Sequence, residues 1–178
     1  MPCKKYIITG GPGTGKTSII KELSDRGINC YGEVARSVII RELDAGSDAL
    51  PNKDVLAFTK KVVEIMRMNL RECDKHQLNF FDRGLPDSAG YLWNEDIETP
   101  DYLETAINEA DYENMVFIAP FWKDIYTMDN QRIESLEVAQ KIDTAIRHVY
   151  TNKGYILKEI PLLPVKQRVD FIINEIVA

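Results

Sequence analysis

The sequence predicts an α/β protein in which helices cover both faces of a five-stranded parallel sheet, a three-layer sandwich. Short apolar runs alternate with amphipathic helical patterns from one end of the chain to the other. The runs YIIT, NFFD and MVFIA are apolar almost throughout, as strands buried on both faces are. A helical pattern follows each strand, and right-handed crossovers then build the layers.

The first strand spans Lys5–Thr9 and runs directly into Gly10-Gly11-Pro12-Gly13-Thr14-Gly15-Lys16-Thr17, after which SIIKELSDR reads as a helix. The second strand covers Ile28–Gly32, and Glu33-Val34-Ala35-Arg36 opens a helix over 34–44. Val55, Thr59, Val62, Met66, Asn69 and Leu70 recur at helical spacing, with Lys60, Lys61, Glu64 and Arg67 between them. The third strand, Leu78–Asp82, is followed by Arg83 and Gly84. After the fourth, Met115–Ala119, comes a segment rich in aromatic and charged residues, Phe121 to Ser135. Ala139, Ile142, Ala145, Ile146 and Val149 mark a helix that stops at Gly154. The fifth strand is Tyr155–Ile160, and a last stripe through Val165, Val169, Ile172, Ile173 and Ile176 starts after Pro161 and Pro164. No repeat, low-complexity stretch or linker interrupts this pattern, so residues 1–178 are expected to form a single domain.

At 178 residues the chain can bury a real core, and 44% hydrophobic with 28% charged residues is ordinary globular composition. A net charge of −6 gives no electrostatic reason to expect a nucleic-acid partner. Three cysteines without a C-x-x-C pair fit reduced thiols rather than a disulfide framework or zinc site. His76 and His148 lie in polar helical contexts and read as surface residues. With no signal-peptide core and no stretch near ~20 apolar residues, the expected location is cytoplasmic.

Gly10 to Thr17 matches G-x-x-x-x-G-K-[ST] between a strand and a helix, the context in which the motif binds phosphate. Backbone N–H groups must converge on one concavity, which the glycines allow and the following helix N-terminus reinforces. Gly10, Gly11, Pro12, Gly13, Thr14, Gly15, Lys16, Thr17 and Ser18 are therefore the candidate nucleotide-binding residues. Lys16 should reach the β- and γ-phosphates, and the Thr17 hydroxyl should sit on Mg²⁺. The expected ligand is a nucleoside triphosphate, Mg-ATP.

Asp82 closes the strand beside this loop, where a carboxylate can hold Mg²⁺ or accept a hydroxyl proton. Glu33 lies at the end of the second strand with Arg36 three residues on, and Arg83 follows Asp82. An acid that accepts a proton and arginines that hold a polar group are what the acceptor side of a small-molecule kinase needs. The residues leave open whether Asp82 or Glu33 is the base, and a structural ion pair is the competing reading of each. Residues 121–135 sit where a short lid would lie, with Arg132 as the candidate stabiliser of the transferring phosphoryl group and Lys123 and Arg147 as alternatives. Pro164 and Arg168 are candidates for contact with the base of the nucleotide.

D-x-x-G is absent after the third strand, and Asn152-Lys153-Gly154-Tyr155 lacks the last residue of N-K-x-D, so a Ras-type GTPase is not expected. The chain is also short for an ATPase module with a helical lid domain. Two readings follow. One is an ATP-dependent kinase acting on a small, nucleoside-like acceptor. The other is a slow nucleotide hydrolase that signals to a protein or lipid partner, which an exposed apolar face near Tyr91, Leu92 and Trp93 would support. The same residues could line an acceptor pocket or pack in the core, the commoner role for such aromatics.

With the glycine-rich loop, the Glu33–Arg36 segment, Asp82-Arg83 and the Gly154-Tyr155…Ile160-Pro161 ending together, the chain resembles AAA-type P-loop domains related to the ribosylnicotinamide kinase part of NadR-like proteins. The resemblance covers nearly all 178 residues and only the kinase part of those proteins. It implies a nucleoside/nucleotide-kinase-like fold with strand order 2-3-1-4-5. It further implies triphosphate and Mg²⁺ on Lys16 and Thr17, Asp82 as the strand-three acid, Arg132 as the lid arginine, and Glu33, Arg36 and Arg83 on the acceptor side.

Overall fold

A computed structural model describes residues 3–122 and 136–177. Lys4–Thr9 forms β1 and Lys16–Asp25 α1; Asn29–Tyr31 forms β2, followed by Val34–Asp44 (α2) and Val55–Glu72 (α3). Leu78–Asp82 is β3, followed by Leu85–Asn94 (α4) and Asp101–Glu109 (α5). Met115–Ile118 is β4, Leu136–Asn152 α6, Ile156–Glu159 β5 and Val165–Val177 α7. The strands pair in parallel in the order β2-β3-β1-β4-β5. This is the order implied by the resemblance.

Side chains alternate across the sheet, so β1 must be apolar at successive positions to serve both layers. Tyr6 and Ile8 pack with Ile19 and Leu23 of α1 and with Val169 and Ile172 of α7. Ile7, between them, faces Ile142, Ile146 and Tyr150 of α6 instead. A third cluster joins Phe81 of β3 to α2, α3, α4 and α5. Complete burial of Ile7 and Ile8 contributes about 2–3 kcal/mol each.

The outer strands depart from the expectation of cover on both faces. Both lie at the sheet edges: β2 is only three residues long, and in β5 Ile156 is 61% exposed, beyond the reach of the helix layers that cover the inner strands. Tyr91, Leu92 and Trp93 do not form a common apolar face. Leu92 is in the core, while Trp93 is 47% exposed and stacks on His148 with ring centroids 4.7 Å apart. The Tyr91 ring lies 5.4 Å from the Arg83 guanidinium. Among the described residues no helix is long and apolar enough to cross a membrane.

Candidate active site

The loop between β1 and α1 closes on itself around Lys16. Its ammonium donates to the Gly10 carbonyl at 2.9 Å and to the Gly11 carbonyl at 2.7 Å, while the Thr14 hydroxyl donates to the Gly11 carbonyl at 3.0 Å. Gly10, Gly13 and Gly15 all have positive φ, at 133°, 73° and 83°. At Gly10 the requirement is doubled, since a Cβ there would stand 2.3 Å from the Ala119 carbonyl oxygen at the end of β4. Burial, with Arg83 nearby, pulls the Lys16 ammonium down to about 8. Thr17 and Ser18 are exposed at the start of α1.

Asp82 ends β3 and is buried, with Oδ1 lacking any hydrogen-bond partner. Burial pushes its carboxyl up to about 6, against the pull of Lys16 and Arg83. An orphaned carboxylate oxygen beside the loop that carries an exposed Thr17 hydroxyl fits a divalent cation, which needs hard oxygen donors. Thr17 and Asp82 are thus a chemically suitable pair for Mg²⁺.

Arg83 sits at φ 72°, a conformation that costs a non-glycine residue about 1–2 kcal/mol. Its partners hold it there. The backbone N–H donates to Ile8 at 3.0 Å. Nε donates to Glu33 at 3.0 Å, and Nη1 donates to the Gly10 carbonyl at 3.0 Å and to Asp87 at 3.2 Å. Burial would lower the guanidinium, but Tyr91 and the carboxylates of Glu33, Asp87 and Asp82 raise it well above the usual arginine value. Glu33, the residue before α2, would be raised by burial, but the charges of Arg83 and Lys16 and the Arg83 hydrogen bond hold it below the usual carboxylate value. Arg36 is exposed one turn into α2 and adds to that pull.

Asp87 is the residue that reading the sequence missed. It is 1% exposed and accepts from Thr9 at 2.5 Å, Tyr150 at 2.5 Å, Arg83 at 3.2 Å and the Gly84 N–H at 2.8 Å. The last bond caps the first turn of α4. A signal for it was present, since Pro86 and Asp87 are typical of a helix's first turn. Gly84 leaves room for its neighbours: a Cβ would lie 2.5 Å from Ile7 Cδ1 and 3.0 Å from the Tyr150 hydroxyl and would displace these buried side chains.

A cavity of about 310 Å³ opens beside the loop, lined by Gly13, Gly15, Thr17, Trp122, Pro164 and Arg168 among others. Pro164 and Arg168, expected from the sequence to contact the base of the nucleotide, line this cavity next to the glycine-rich loop. Arg147 is on α6 and bound to Asp143 at 2.7 Å and Glu159 at 3.0 Å. Arg132, Lys123 and the rest of segment 123–135 lie outside the described residues.

A glycine-rich loop joining an inner parallel strand to a helix, with a carboxylate ending the neighbouring strand, defines a P-loop nucleotide-binding fold. The chain belongs to a family of AAA domains, whose model matches residues 5–168. Solved structures of low identity share the fold. Deoxyadenosine kinase from M. mycoides superposes with a TM-score of 0.71 at 15% identity, covering 97% of this chain and 98% of that one. Thymidylate kinase from Ehrlichia chaffeensis gives 0.66 at 12%, covering 99% and 100%. Shikimate kinase from Aquifex aeolicus gives 0.57 at 13%, covering 97% and 96%. No curated protein matches the chain in sequence.

Proposed function

We propose that this chain is a kinase, working as one P-loop domain, that moves the γ-phosphoryl group of ATP to a hydroxyl of a small, nucleoside-like acceptor. The observation that supports this reading best is the Glu33–Arg83–Gly10 chain of contacts. A single guanidinium bonds the Glu33 carboxylate and the first glycine of the loop, each at 3.0 Å. An ionised acid at the end of β2 is thereby fixed within one side chain of the phosphate cradle. The solved kinases of the same fold add weight to it.

In this reading the loop amides and Lys16 bind the triphosphate. Glu33 accepts the proton of the acceptor hydroxyl as its oxygen bonds to the γ-phosphorus, and ADP leaves with the bridging oxygen. Arg83 keeps Glu33 ionised and oriented, and Arg36 meets the polar groups of the acceptor. Thr17 and Asp82 would hold Mg²⁺, which neutralises charge on the phosphates when bound. Arg132, in the segment expected to form a lid, would offset charge on the transferring group.

The test is ADP release from Mg-ATP by the purified chain, alone and then against a panel of nucleosides, nucleotides and sugars. One compound should raise turnover many-fold, and Glu33→Gln should remove that stimulation while leaving ATP binding intact. Slow hydrolysis indifferent to every compound would defeat the kinase reading in favour of a nucleotide-operated binding protein.

A further inference from the structure

Arg168 lies in the first turn of α7 and is only 2% exposed. Both Nη1 and Nη2 donate to one atom, the Thr14 carbonyl oxygen, at 3.2 Å each. Its Nε has no partner, and among the described residues no carboxylate pairs with it. The contrast with Arg83 is direct, since that buried guanidinium has two acids. A buried cation without a counter-anion is costly and calls for an anion at close range. Arg168 also lines the cavity beside Gly13, Gly15 and Thr17, so the anion that fits is the one the loop itself binds.

The geometry says how the two are connected. A trans peptide unit points its C=O and N–H in opposite directions. The peptide between Thr14 and Gly15 is therefore turned by whatever holds the Thr14 oxygen. Gly15, at φ 83°, precedes the first residue of α1 and has no side chain to hold its own orientation. With the oxygen held by Arg168, the Gly15 N–H is presented on the opposite side of the peptide unit.

We propose that Arg168 is a positioning residue for the triphosphate. It orients the Gly15 N–H through the Thr14 carbonyl, and bound phosphate compensates its charge, whatever base the nucleotide carries. This rests on the nucleotide-binding reading of the loop and revises the expectation that Arg168 contacts the base.

The test compares calorimetric affinities of ATP, GTP and inorganic tripolyphosphate for the wild type, Arg168→Met and Arg168→Lys. Loss of a charge-assisted contact should weaken all three ligands in parallel by about ten- to a hundredfold in Arg168→Met. Arg168→Lys, which keeps the charge but not the fork, should recover part of that loss. In the nucleotide-free protein the Gly15 amide resonance should move in Arg168→Lys, a readout that remains if Arg168→Met does not fold. Weaker ATP binding with unchanged tripolyphosphate affinity would overturn the proposal and return Arg168 to the base. Unchanged affinity for all three in both variants would equally overturn it. If the wild type bound none of the ligands, the nucleotide reading itself would fall.

Discussion

Tyr150 donates its phenol hydrogen to Asp87 across 2.5 Å, fastening α6 to the first turn of α4 behind the glycine-rich loop. Both groups are buried, so the bond is made where water cannot replace it. Tyr150→Phe should lower unfolding free energy by about 1–3 kcal/mol, since it leaves a buried acceptor short of one donor. Asp87→Ala should cost more, about 3–5 kcal/mol, because Arg83 loses a buried counter-charge. Urea denaturation of both variants checks the order, and equal losses would refute it.

Asp82 predicts an unusual pH signature. Its folded value of about 6 lies above the ordinary 3.8, so between those values the native chain holds a proton that the unfolded chain has released. The group's contribution is full below 3.8 and is lost as pH rises through about 6. Stability of Asp82→Asn relative to the wild type should therefore increase from pH 4 to pH 7, on the same principle. A flat difference curve would show that Asp82 is not desolvated in solution.

Lys16 should take up a proton when ATP binds. Without ligand it titrates near 8, and phosphate at close range restores the charged form. Calorimetry in two buffers of different ionisation enthalpy should find uptake above pH 8 that vanishes near pH 6.5, well below the value of about 8. Uptake that did not vary with pH would assign the proton elsewhere.

Gly10 and Gly154 separate two reasons for glycine. Both have positive φ, but a Cβ at Gly10 meets the Ala119 carbonyl, whereas one at Gly154 meets nothing within 4 Å. Gly154→Ala should cost only about 1–2 kcal/mol of conformational strain. Gly10→Ala should cost more and abolish ATP binding, because β4 cannot give way without disturbing the sheet. Thermal unfolding of the pair, with nucleotide titration, decides it.

The parts of the fold that repeat a local pattern were legible in the sequence. The near-continuous apolar strands β1, β3 and β4, the stripes of α3, α6 and α7, and the motif from Gly10 to Thr17 each carry their own signal. α4 and α5 were not distinguished, because their stripes are short (Leu85, Ala89 and Leu92; Leu103, Ala106 and Ile107), and in α4 Asp87, Ser88 and Gly90 are interleaved with the stripe. Arg83 was read as a residue that meets the acceptor, yet most of its bonds face inwards. Nothing in DRG announces this, because Glu33 lies 50 residues before Arg83 and Thr9 lies 78 before Asp87. Such a cluster exists only once the sheet order has brought three strand ends together.

That order also separates a centrally held part of the sheet from a peripheral one. The phosphate cradle hangs from β1, gripped on both sides by β3 and β4, while β2 and the helix that carries Arg36 join the sheet through a single three-residue pairing to β3. Remodelling that outer flank leaves the strand pairings on either side of β1 in place, with Glu33–Arg83 as the contact that ties the flank to the loop. Substitutions confined to the edge strand would therefore reach the loop only through the Glu33–Arg83 bond, so that one contact sets how far a change at the periphery is felt at the centre.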